Sequence, residues 1–171
     1  MLLTELLGGN IENFGEYNLL YFYDKTYTNS ETEIICKKVS SLVHSLGVEK
    51  GHRVLICMPN CPEVIFSYQG VLGVGGIIVP AMYLLHENEI NFILKNSEAK
   101  VIITSSILLQ KLKNASSDLS VKPKIICIDQ PREEDIQEEF EIIEWEKALS
   151  NISIYENAPL ELKESDVAVI L

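Results

Sequence analysis

The sequence predicts an α/β fold: a mostly parallel sheet flanked by helices, with a short hairpin near the N-terminus. Three observations carry this. Unbroken apolar runs recur at residues 54–58 (VLICM), 77–79, 101–104 and 125–128. Such runs mark strands buried on both faces, as parallel strands are. Helically spaced stretches separate them, and glycine or proline falls at the junctions. Strands that alternate with helices build a parallel sheet, because parallel neighbours need a crossover between them.

Taken in order, residues 18–23 (NLLYFY) are rich in aromatic side chains and read as a strand. Asp24 and Lys25 turn the chain into a second short strand over 26–28. Ser30-Glu31-Thr32-Glu33 has the form of a capping box, in which hydroxyl and carboxylate satisfy free amides at a helix start. The helix that follows carries Ile35, Val39, Leu42, Val43 and Leu46 on one stripe and ends at Gly47. After the strand at 54–58, Pro62 suits the first turn of a helix, where its missing amide costs nothing. That helix runs to about residue 72 and is apolar nearly all round, so it is expected to be buried. Gly73, Gly75 and Gly76 break it before the strand at 77–79. Residues 87–96 form a helix with Ile90, Ile93 and Leu94 inward and acids at its positive end. A short helix over 107–113, a strand at 125–128, a helix over 145–149 and a final strand at 166–171 (DVAVIL) complete the pattern.

The bulk numbers set bounds. The 171 residues suit one domain or one lobe of a larger enzyme, and 47% hydrophobic against 23% charged content supports a real core. A formal charge of −11 argues against a nucleic-acid partner, since phosphate backbones need clustered Lys and Arg. Much of the charge is local, in Glu133, Glu134, Asp135, Glu138, Glu139, Glu141 and Glu144, and reads as a solvated surface segment. The four cysteines at 36, 57, 61 and 127 lack metal or disulfide spacing and read as free, mostly buried thiols in a reducing compartment. The N-terminus lacks the features of a signal peptide, so a cytoplasmic location is expected. No charge occurs over residues 64–86, yet the glycines and Pro80 there favour helix, turn and strand over a membrane span.

Recognisable catalytic chemistry is sparse. There is no G-x-x-x-x-G-K-[ST] loop, no G-x-G-x-x-G and no G-x-S-x-G. Gly70, Gly73, Gly75 and Gly76 precede a strand, so their role is expected to be helix–strand packing instead of phosphate binding. His44, His52 and His86 have no nucleophile placed beside them and read as structural or solvated. His86 keeps some interest because it follows a strand end of the kind that faces ligands.

One further pattern is present. Residues 48–54 (VEKGHRV) are followed by Met58-Pro59-Asn60-Cys61-Pro62-Glu63, then 73–80 (GVGGIIVP), 89–94 (EINFIL) and 97–104 (SEAKVIIT). In order and spacing this resembles the N-terminal region of AMP-forming acyl-CoA synthetases, members of the adenylate-forming superfamily, from about residue 19 to residue 171. His52 stands where the family usually has Asp, and Cys61 where Ser is common at the helix cap. Asp166-Val167-Ala168-Val169-Ile170 resembles the strand that feeds the family's Ser/Thr/Gly-rich phosphate loop.

The resemblance implies that residues 1–171 are the N-terminal subdomain of a larger AMP-binding domain. It implies an enzyme that uses ATP, Mg2+ and CoA to activate a small-molecule carboxylic acid, with a tilt toward fatty acids. An aryl or amino-acid adenylating enzyme, or a non-catalytic binding module of the same fold, are the alternatives. The family's catalytic groups match no residue here, so the fragment by itself is expected to be inactive, and its exposed sheet is expected to make it self-associate. By position, Met82, Tyr83 and Leu84 match a loop beside the route taken by CoA. The plain alternative is that they pack over the sheet edge.

Overall fold

A computed structural model of the chain describes residues 2–132, 139–155 and 161–171. A 3-10 turn at Leu3–Glu5 leads into α1 (Leu6–Phe14), then the antiparallel hairpin β1 (Asn18–Phe22) and β2 (Lys25–Thr28), and α2 (Asn29–Ser45). The α/β unit follows: β3 (Arg53–Cys57), α3 (Pro62–Gly73), β4 (Ile77–Pro80), α4 (Glu87–Ser97), β5 (Val101–Thr104), α5 (Leu109–Ser116), β6 (Lys124–Cys127), β7 (Ile142–Glu144) and α6 (Trp145–Asn151). Strands β3 to β7 form a five-stranded sheet in the order β4-β3-β5-β6-β7, and every pairing is parallel.

Alternation along each strand sorts two cores. Val54, Ile56, Ile78, Val101, Ile103 and Ile126 meet α2, α3 and α6 on one face. Leu55, Cys57, Val79, Ile102, Ile125 and Cys127 meet α4 and α5 on the other. Both faces are covered, which is why the strands read as unbroken apolar runs. The uncharged stretch 64–86 resolves into α3, a turn and β4. No helix among the described residues is long and apolar enough to cross a membrane.

Four details differ from the sequence reading, each for a local reason. The cap of α2 lies two residues earlier than expected: the Glu31 amide donates to Thr28 Oγ1 (3.1 Å) and the Thr28 amide to Glu31 Oε2 (2.8 Å). Gly70 and Gly73 serve helix–helix packing, not helix–strand packing. A Cβ at Gly70 would lie 2.5 Å from Val39 Cγ1, and one at Gly73 2.5 Å from Ser40 Oγ, both on α2. Strand β7 and helix α1 lack a clear sequence signal and were not expected.

The fourth concerns the expected strand at 166–171, which is a single parallel bridge from Val169 to Ile78 on the outer edge of β4. The Ile78 amide donates to Ala168 O and the Ile170 amide to Ile78 O, both at 2.9 Å. In a parallel ladder the next outward donors of β4 are two residues away on either side. One is Pro80, which has no N–H, and the other is Gly76, whose amide is bonded to Val71 O. The segment is held instead by Lys50, which meets Asp166 Oδ2 at 2.7 Å and donates to Glu161 O. The Lys50 hydrogen bond to Asp166, with the Lys163 amide behind it, holds the Asp166 carboxyl below the usual range.

Part of the acidic segment is anchored too, with Glu139 paired to Lys122 and Glu141 to Lys124 at the start of β6. Glu133, Glu134, Asp135 and Glu138 lie outside the described residues.

Candidate functional site

Where the strand order of an open α/β sheet reverses, the connections leave toward opposite faces and open a crevice at the carboxyl ends. Here that point lies between β3 and β5, because α3 departs to one face and α5 to the other. Four connections meet along this edge: residues 58–61 after β3, 81–86 after β4, 105–108 after β5 and 128–132 after β6.

Small polar groups tie the strand ends together. Thr104 Oγ1 donates to Cys57 O (2.7 Å) across the β3/β5 junction. The Ser106 amide donates to Asp129 Oδ1 (2.5 Å), and Cys127 Sγ lies 3.3 Å from the same oxygen. Ser105 is buried, and its hydroxyl has no hydrogen-bond partner among the described residues. Burial pushes the Cys57 thiol up to about 11, against a smaller opposing pull from the Lys111 ammonium. Cys61, the residue before α3, makes no side-chain cap, and its sulfur lies 3.7 Å from Met58 Sδ. Burial first, and then Glu63, raises its thiol to about 12. None of the four cysteines is in a disulfide.

The loop after β4 carries the positions singled out in the sequence. Met82 and Leu84 are each 66% exposed and Tyr83 40%, so these side chains face solvent at the carboxyl edge instead of packing over the sheet. Their neighbours Ala81 and Leu85 make the contact with the core. Lys111 of α5 donates to the carbonyls of Tyr83 (3.0 Å) and Leu85 (3.1 Å). Sequence reasoning missed this lysine, because a lysine in a short amphipathic helix carries no signal of a contact to a loop 26 residues upstream.

His44 stacks on Tyr155 with ring centroids 5.2 Å apart. His52 Nδ1 accepts the Glu49 amide at 3.0 Å, the role an Asp carboxylate would fill in that turn. His86 begins α4, its amide donating to Glu89 Oε2. Among the described residues, no three His, Cys, Asp or Glu side chains converge as metal ligands.

A cleft of about 800 Å³ opens at the opposite, amino edge of the sheet. Its basic side chains are largely committed to neighbouring acids: Arg53 to Glu98 (2.8 Å), Lys95 to Asp118 (2.6 Å) and Lys124 to Glu141 (3.2 Å). Size alone does not make it the site.

The family model for AMP-binding enzymes matches residues 10–171. The chain belongs to the AMP-binding enzyme family. Among relatives, 4-coumarate–CoA ligase 3 of Arabidopsis thaliana is 36% identical over 111 residues, 65% of this chain and 19% of the plant enzyme. A long-chain-fatty-acid–CoA ligase of Bacillus subtilis (strain 168) is 33% identical over 109 residues, 64% of this chain and 20% of the other. The matched stretch thus spans about a fifth of the length of these relatives. Of solved structures, the anthranilate CoA ligase AuaEII in complex with anthranoyl-AMP superposes with a TM-score of 0.86 at 20% identity, covering 97% of this chain and 31% of that one. The coronafacic acid ligase of Pectobacterium brasiliense gives a TM-score of 0.86 at 20% identity, covering 99% and 33%. Likeness at that identity establishes the shared fold.

Proposed function

We propose that this AMP-binding chain is the N-terminal subdomain of an acid–thiol ligase. In that reaction a carboxylate attacks the α-phosphate of ATP and displaces pyrophosphate, giving an acyl-adenylate. The thiol of CoA then attacks the acyl carbon, and AMP leaves. The observation that carries the reading is the family match over residues 10–171, on a sheet whose carboxyl-edge loops converge at its switch point. ATP, Mg2+ and CoA are the implied cosubstrates and cofactor. Phosphate charge in such a transfer needs amides, metal and a cation aimed at it. The described residues assemble no such set, so residues 1–171 alone are expected to be inactive.

In this reading Met82, Tyr83 and Leu84 form an apolar wall on the CoA side of the site. Their exposure at the carboxyl edge supports it. The acid is a fatty acid, in line with the Bacillus subtilis relative and with the segments Asn60-Cys61-Pro62-Glu63 and Ser67-Tyr68-Gln69. An aryl acid is the competing reading, favoured by the Arabidopsis thaliana relative. Four thiols outside disulfides suit a reducing, cytoplasmic setting.

The test is CoA-thioester formation by the full-length gene product with ATP, Mg2+ and a panel of acids. Preference for medium or long aliphatic acids supports the fatty-acid reading. Preference for hydroxycinnamic or benzoic acids replaces it with the aryl one. No thioester with any acid removes the ligase reading.

A further inference from the structure

The loop at residues 81–86 is held largely through its backbone. Its three central side chains reach into solvent, so the core does not fix them. At its ends, the Ala81 amide donates to Ile56 O and the His86 amide to Glu89 Oε2. Within it, one turn bond runs from the Leu85 amide to Met82 O at 3.1 Å. Besides the core contacts of Ala81 and Leu85, Lys111 reaches from α5 to two carbonyls of the loop, Tyr83 O and Leu85 O. These are charge-assisted hydrogen bonds to groups that would otherwise meet water, and no described carboxylate forms an ion pair with this ammonium. An ammonium shared by two carbonyls fixes both the height and the twist of the short segment between them.

Lys111 is itself well supported. It lies on α5, whose Leu109, Leu112 and Ala115 are buried against the sheet, so the helix cannot follow the loop if the loop shifts. Asn114, further along α5, donates to Glu87 Oε1 at the start of α4, which links α5 to the helix that follows the loop.

We propose that Lys111 is the positioning residue of the 81–86 loop, holding Met82, Tyr83 and Leu84 as a fixed wall for the thiol cosubstrate. The thiol-facing part rests on the function proposed above, whereas the anchoring part does not. Lys111→Met keeps the aliphatic stem and the helix propensity and removes every donor. Lys111→Arg restores two donors in a fork able to meet two carbonyls.

The experiment measures amide hydrogen exchange in the full-length gene product, together with KM for CoA, ATP and the acid. Lys111→Met is expected to speed exchange at the Leu85 amide, which is hydrogen-bonded to Met82 O, about tenfold, with β5 and β6 unchanged, as loss of a local tie should. KM for CoA is expected to rise about tenfold while KM for ATP and acid holds, and Lys111→Arg to restore both. Exchange that does not change, or that speeds equally in β5 and β6, overturns the proposal whatever the enzyme's substrates are. Faster loop exchange with an unchanged KM for CoA upholds the anchor and removes this loop from the thiol site.

Discussion

Burial governs the thiols. Cys36 is driven up to about 12, mainly by loss of water and then by Glu33, Cys57 to about 11 and Cys61 to about 12, from an ordinary value of 9.0. The folded chain holds these protons more tightly than the unfolded chain does. The stability they contribute is therefore complete below pH 9.0 and is lost as the pH rises through about 11 to 12. Denaturant midpoints are expected to fall steadily from about pH 9 upward, and less so in a Cys36→Ala variant corrected to its own neutral-pH value. A midpoint independent of pH in this range would refute the burial argument. Cys61 gives a second prediction. It stands before α3 with extended backbone and makes no side-chain cap, so Cys61→Ser supplies a stronger acceptor for the amides of the first turn. Urea unfolding of that variant is expected to show a gain of about 0.5–1 kcal/mol; a loss would mean that the Met58 contact matters more. At this scale the sequence was partly legible. The weak cap could be read from Cys61, and the buried thiols from their apolar neighbours. Lys111 could not, because its partners are backbone carbonyls, which leave no trace in side-chain chemistry.

Among the elements, the pairing of α2 with α3 depends on a missing methyl group. Gly70 meets Val39, and the ideal Cβ position lies 2.5 Å from Cγ1 and 2.6 Å from Cβ of that valine. Both residues are held inside the core, so neither side can yield without moving a helix. Gly70→Ala is expected to destabilise the fold by about 1–3 kcal/mol despite its better helix propensity, and Gly70→Ala with Val39→Ala to recover part of that loss. Thermal unfolding of the three variants checks this, and a stabilised Gly70→Ala would show that propensity wins over packing. Elements with strong periodicity or unbroken apolar runs were legible to within a few residues, as β3, β5 and α4 show. The misses have local causes. Strand β7 is only Ile142–Glu144 beside an acidic stretch, and α1 contains Gly8 and Gly9, which blunt its helical signal. The segment at 166–171 has the composition of a strand, yet Pro80 and Gly76 deny it donors on β4, a constraint that belongs to the neighbour and not to the segment.

For the molecule as a whole, the doubly covered parallel sheet places four loops on one edge, and that much follows from alternation and crossover handedness alone. The chemistry of the site was not legible in the same way, since the sequence carries no recognisable nucleophile or phosphate-loop motif; the functional class rested on an ordered series of weak motifs. The same fold leaves Val167, Val169, Ile170 and Leu171 exposed beside β4. Residues 1–171 by themselves are expected to associate through this apolar edge and to bind a hydrophobic dye. Sedimentation as a concentration-independent monomer without dye binding would contradict that. The most direct test of the ligase assignment is acid-dependent exchange of labelled pyrophosphate into ATP by the full-length gene product, which isolates adenylate formation from the thiol step. Exchange that requires ATP, Mg2+ and one class of carboxylic acid is the predicted result. A folded product that binds ATP but exchanges no pyrophosphate with any acid offered would contradict it.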